Sequence, residues 1–136
     1  MVKVLYGKKG AGKTKVLIDT ANERVAKSKG DVVFIDDSNN LMYDLKHEIR
    51  FINVSEYPVD NAPGFLGFLC GILSQDYDIE GIFIDGLTYI LKQGIEELQE
   101  FFRHIEEFSA RFGIDFYISI NGDPAAMPDF IKEYVA

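Results

Sequence analysis

A single cysteine, Cys70, leaves this chain unable to form an internal disulfide. Its setting, Phe65-Leu66-Gly67-Phe68-Leu69-Cys70-Gly71-Ile72-Leu73, reads as that of a small buried hydrophobe. The same run falls well short of the roughly 20 apolar residues that a membrane span requires. No charged-then-apolar leader opens the sequence, so a cytoplasmic protein is expected. Basic residues are in the minority. The 14 Lys and Arg against 22 Asp and Glu give a net charge of −8. That is the wrong sign for a free-standing nucleic-acid binder, which neutralises phosphate with a basic surface. Tryptophan is absent, so aromatic packing rests on Phe and Tyr. Repeats, low-complexity segments and linkers are missing too, and 136 residues suffice for one domain with one core.

The lysines that are present cluster at Lys8, Lys9, Lys13 and Lys15, and this cluster has a local explanation. Gly7-Lys8-Lys9-Gly10-Ala11-Gly12-Lys13-Thr14 matches the phosphate-loop pattern G-x-x-x-x-G-K-[ST] at every fixed position. Val2 to Tyr6 before it is apolar and β-branched enough for a buried strand. Lys15 to Val25 after it carries a helical apolar stripe. Strand, glycine loop and helix form the context in which backbone N–H groups converge on an anion at a helix N-terminus. Gly7 to Lys15 would then cradle phosphate, with Lys13 reaching the β- and γ-phosphates and the Thr14 hydroxyl ligating Mg²⁺. The plainer alternative is a glycine-rich turn with a chance lysine.

Further elements follow closely. The first helix is expected over Lys13 to Lys29, with Gly30 as a left-handed stop. Asp31 to Asp36 reads as a second strand, Leu41 to Lys46 as a short helix, and Arg50 to Val54 as a third strand near an edge. Gly64 to Gln75 reads as a buried helix, Gly81 to Asp85 as a fourth strand and Gln93 to Phe112 as a long amphipathic helix ended by Gly113. Asp115 to Ile120 is the fifth strand, and Pro128 opens a terminal helix. Strands that are continuous apolar runs, alternating with helices, imply a parallel sheet covered on both faces. Such sheets bind ligands beyond the carboxyl ends of their strands, where this chain places Asp36, Asp85 and Asn121.

Ile82-Phe83-Ile84-Asp85 resembles a Walker B strand, whose terminal Asp holds the Mg²⁺ shell; Asp85 before Gly86 also suits an ordinary turn. With the loop, with Val33-Phe34-Ile35-Asp36, with Ile84-Asp85-Gly86-Leu87-Thr88 and with Ser119-Ile120-Asn121-Gly122, the chain resembles the RecA-like branch of P-loop NTPases from Val2 to about Asp123. The resemblance implies a three-layer αβα fold with a five-stranded, mainly parallel sheet in the order 3-2-4-5-1. It also implies ATP and Mg²⁺ as ligands, with Asn121 as a γ-phosphate sensor, although a turn Asn fits equally. One part is missing. The family's glutamate that polarises the attacking water would fall at Gly86 or Ser38. Asp36 or Asp37 could substitute from a shorter side chain, and both also suit a strand end and turn. Glu56 lies too far toward the edge. Of the arginines that could stabilise transition-state charge, Arg24 and Arg103 read as solvated, while Arg50 and Arg111 could act in trans in an assembly.

Two readings from different classes result: an ATPase that is slow or completed by a homo-oligomer or protein partner, and an ATP-gated binding module that does not hydrolyse. A nucleotide-kinase type of phosphotransferase is a third, disfavoured by the absence of an arginine-rich lid. DNA-driven motor activity lacks DNA-binding loops, since Gly122 to Met127 is short. No Asn/Thr-Lys-x-Asp segment marks guanine, so ATP is favoured over GTP.

Overall fold

The computed structural model describes residues 1–135. The strands and helices follow one another as β1 (Val2–Gly7), α1 (Lys13–Lys27), β2 (Asp31–Asp36), β3 (Arg50–Asn53), α2 (Ala62–Gln75), β4 (Ile79–Ile84), α3 (Leu87–Leu91), α4 (Gln99–Phe112), β5 (Asp115–Asn121) and α5 (Asp129–Lys132). The five strands pair in parallel in the order β1-β5-β4-β2-β3, the expected order read from the other edge.

Period-two alternation divides the core between the two faces of the sheet. Val33, Ile35, Ile82 and Ile84 pack with Phe65, Leu69, Phe101, Phe102 and Ile105 of α2 and α4. Val32, Phe34 and Phe83 pack with Leu17 and Ala21 of α1. On the α1 face the rings of Phe51, Phe34, Phe83 and Tyr117 stack across β3, β2, β4 and β5, with centroid separations of 6.4, 6.1 and 4.6 Å. A slip of one residue would send each ring to the other face, so this stack pins the register. All five carboxyl ends then open on one side, where the candidate site forms.

Several local expectations are corrected. The long helix begins at Gln99, preceded by a turn at Ile95–Glu97, because Lys92 and Gly94 interrupt the helical path. The unanticipated α3 fills Leu87–Leu91, burying Leu87, Ile90 and Leu91. Leu41 to Lys46 yields only one 3₁₀ turn, Met42–Asp44. Helix α1 stops at Lys27 on an extended Ser28, and Gly30 is not left-handed. Cys70 is exposed, since it lies on the side of α2 opposite Phe65 and Leu69. Arg24 is not solvated. It donates to Asp115 (2.8 Å) and to the Glu80 carbonyl (3.2 Å), tying α1 to β5 and β4. Among the described residues, no helix is long and apolar enough to cross a membrane.

Candidate functional site

The loop between β1 and α1 contains two left-handed glycines, Gly10 (φ 88°) and Gly12 (φ 85°), a conformation that side chains resist and that turns backbone N–H groups toward one point. Gly12 is also the N-cap of α1. It offers no side-chain acceptor, and the first turn holds no acidic residue. The first N–H groups of α1 therefore lack the partner that an ordinary cap supplies, which leaves them available to an anion. Gly122 N–H donates to the Gly7 carbonyl (3.0 Å), tying the end of β5 to the loop entry. A side chain at 122 would run into the Tyr6 ring.

Side chains from three strand ends meet beside the loop. The Lys13 ammonium donates to the Lys8 carbonyl (2.7 Å), and burial lowers its pKa while Asp85 works in the opposite direction. Thr14 Oγ1 donates to both Asp85 carboxylate oxygens (3.2 and 3.3 Å). Ser119, buried on β5, donates to Asp85 Oδ1 (2.7 Å) and accepts from the Gly86 N–H (2.8 Å). The Asp85 carboxylate is thus held by hydroxyls from α1 and β5.

A cavity of about 410 Å³ lies here, lined by Lys9, Lys13, Thr14, Asp37, Asp85 and Asn121 together with backbone of the loop. The fold brings the loop, the fourth-strand aspartate, one of the two second-strand aspartates and the fifth-strand asparagine to one place. It does not bring Lys15, whose ammonium pairs with Asp19 (2.9 Å) on the outer face of α1. Lys8 contributes its carbonyl to Lys13 rather than a side chain to the cavity. Asp36 is buried and not among the lining residues. Its carboxylate accepts from the Asp37 N–H (2.8 Å) and from Ser38 Oγ (3.4 Å). Burial pushes the Asp36 carboxyl up to about 7; the Asp37 N–H opposes this, and the charges of Asp85 and Asp37 add to it.

Sequence reasoning missed Ser119 and Tyr89, both of which line the cavity. The signal for Ser119 was one small polar residue inside the otherwise aromatic and aliphatic Phe116-Tyr117-Ile118-Ser119-Ile120. Ser119→Ala leaves the buried Gly86 N–H without its acceptor, and a loss of about 1 kcal/mol in unfolding free energy is expected. Urea denaturation of the two proteins measures it, and equal midpoints and slopes would mean that the bond carries no weight.

Parallel strands in this order, with helices on both faces and a glycine loop after β1, define a P-loop NTPase-like fold of the RecA-like type. Among solved structures, the chain is similar to the flagellar accessory protein FlaH from Methanocaldococcus jannaschii, with a TM-score of 0.59 and 12% sequence identity. The match covers 97% of this chain and 65% of that one, so the chain spans about two-thirds of the other's length. No family model matches the sequence, and no curated protein matches it.

Proposed function

We propose that this protein binds ATP with Mg²⁺ at the loop cavity, and that hydrolysis there is slow or is completed only by assembly with another copy or a protein partner. The observation that carries this reading is the uncapped start of α1, wrapped by two left-handed glycines and flanked by Lys13 and the Thr14–Asp85 pair. The donor set suits Mg²⁺ in the presence of phosphate. Among the described residues no cluster of three or more His, Cys, Asp or Glu could hold a metal alone. Thr14 and Asp85 supply only part of an oxygen shell, leaving the rest to phosphate oxygens and water, which is how Mg²⁺ is commonly bound at nucleotide sites. When bound, Mg²⁺ would supply charge neutralisation to the triphosphate, with Thr14 and Asp85 holding it.

The chain's own residues divide the remaining work unevenly. The loop and Lys13 bind and orient the triphosphate, and Asn121, which lines the cavity, would donate to the γ-phosphate. Of the two second-strand candidates, Asp37 is the one that lines the cavity and would be the one to orient a water. It lacks the reach of the glutamate that Gly86 and Ser38 replace. Among the described residues, no arginine lines the cavity. Arg24 is bound to Asp115, Arg50 bridges Asp31 and Asp76, Arg103 pairs with Glu100, and Arg111 lies over the Phe112 ring. Transition-state charge beyond what Lys13 and Lys9 can meet therefore calls for a neighbouring molecule. The same shortfall favours the second reading, an ATP-gated binding module.

Single-turnover ATP hydrolysis across protein concentration separates the two. Turnover rising steeply with concentration supports assembly; binding without turnover at any concentration leaves the gated module. Asp85→Asn is expected to lower Mg²⁺·ATP affinity by about fivefold while affecting Mg²⁺-free binding less. Equal losses with and without Mg²⁺ would count against Asp85 as the metal-shell residue.

A further inference from the structure

A second cavity, of about 420 Å³, adjoins the loop cavity and shares Asp37 and Tyr89 with it. It is built by the segments that follow β2 and β3 and by α3, so it lies toward the β3 edge, on the far side of Asp85 from the loop. Its size is that of a small-molecule site. Tyr57 and Tyr89 present half-exposed rings to it, 50% and 50% accessible, and Tyr57 is backed by Phe68 at 5.6 Å.

A second observation points to the same place. Lys92, which lines this cavity, is the one non-glycine with positive φ among the described residues (φ 54°). L side chains adopt that conformation at a cost, and such strain persists where the surroundings enforce it, often at binding sites. Here the N–H of Lys92 closes α3 on the Thr88 carbonyl (2.9 Å), and the adjacent Gln93 carboxamide accepts from Ala62 N–H at the start of α2 (2.7 Å). Glycine would suit this backbone better. Lysine stands here at a left-handed helix end, where glycine is the usual residue.

The polar groups set the chemistry of an occupant. Asp37 and Asp60 accept hydrogen bonds only, Lys92 donates only, and Ser55, whose hydroxyl already donates to Asn53 Oδ1 (2.6 Å), can still accept. Two carboxylates against one ammonium, in a chain of net charge −8, oppose an anionic ligand. Aromatic walls favour a flat one. We propose that this second cavity binds a small, uncharged, planar ligand bearing both donors and acceptors, a nucleoside being the type, while a nucleotide occupies the loop cavity. The simultaneous occupancy rests on the nucleotide reading above. Because Asp37 and Tyr89 border both cavities, the two ligands are expected to alter each other's affinity by a common factor.

The test loads the protein with Mg²⁺ and the non-hydrolysable analogue AMP-PNP, then titrates adenosine, guanosine, cytidine and uridine separately, with binding read by NMR shifts. At least one nucleoside is expected to bind alongside the analogue. Tyr57→Ala should weaken it about tenfold and Lys92→Gly about fivefold, each leaving AMP-PNP affinity within about twofold. Lys92→Gly should melt no lower than wild type, so its loss of binding is not a loss of fold. AMP-PNP binding with no nucleoside beside it, displacement of the nucleoside by AMP-PNP, or unchanged nucleoside binding in both variants would overturn the proposal. Failure of AMP-PNP to bind wild type would count against the nucleotide reading instead. Nucleoside binding to the free protein, and its sensitivity to the two variants, then decides the second cavity separately.

Discussion

Lys13→Ala is expected to lower ATP affinity by about 10- to 100-fold, since charge-assisted hydrogen bonds of the kind lysine makes to phosphate are worth about 1.5–3 kcal/mol. Lys13 is poised for this role. Its ammonium donates to the Lys8 carbonyl (2.7 Å), a contact within the loop that ties no other element. The residue opens α1, where a positive charge faces the positive end of the helix dipole. Removing it therefore takes nothing from the core, and the variant should melt within about 2 °C of wild type. Calorimetric titration with ATP and thermal unfolding, run on both proteins, check the two halves. An unchanged ATP affinity would remove the phosphate-site reading. A large drop in melting temperature would mean that the loop–lysine contact is structural.

The features most legible in the sequence were those fixed by local chemistry. Val32-Val33-Phe34-Ile35 and Ile82-Phe83-Ile84 are buried on both faces and can only be central strands, and the loop glycines announce their backbone. The strand order came from the RecA-like resemblance rather than from any residue pattern, and the sheet has that order. What the sequence concealed depends on partners distant in the chain. Arg24 looks like one more charge on a solvated helix until β5 brings Asp115 beside it, 91 residues later. Ser119 looks like an exception in an apolar strand until Asp85 and the Gly86 N–H are its neighbours. Lys92 gave no local signal at all, because lysine is ordinary in helices and nothing in the sequence marks it as the left-handed end of α3. Asp36 and Asp37 could not be separated by sequence. Successive residues at a strand end point to opposite sides, and only the sheet decides which side is covered.

That separation yields a second large effect. Asp36 is buried, with its carboxyl pushed up to about 7 from an ordinary 3.8, so the folded protein keeps a proton there that the unfolded chain releases. Between those two values the folded state binds more protons than the unfolded state. This group's contribution to stability therefore falls as pH rises from about 4 to about 7 and is flat on either side. Asp36→Asn cannot ionise, while its side-chain oxygen can still accept from the Asp37 N–H. Relative to wild type, its gain in unfolding free energy should grow by about 2 kcal/mol between pH 5 and pH 8, a figure discounted for solvent screening from the neighbouring cavity. Urea denaturation at both pH values, with EDTA and without nucleotide, measures the difference, and comparison with wild type cancels the other titrating groups. A gain that is the same at pH 5 and pH 8 would show that Asp36 ionises normally in the fold. Adding Mg²⁺·ATP supplies the test of place. A cation held by Thr14 and Asp85 would favour the ionised Asp36, so the pH-dependent gain of the variant should shrink. In that state the wild-type carboxylate would have a counter-charge nearby.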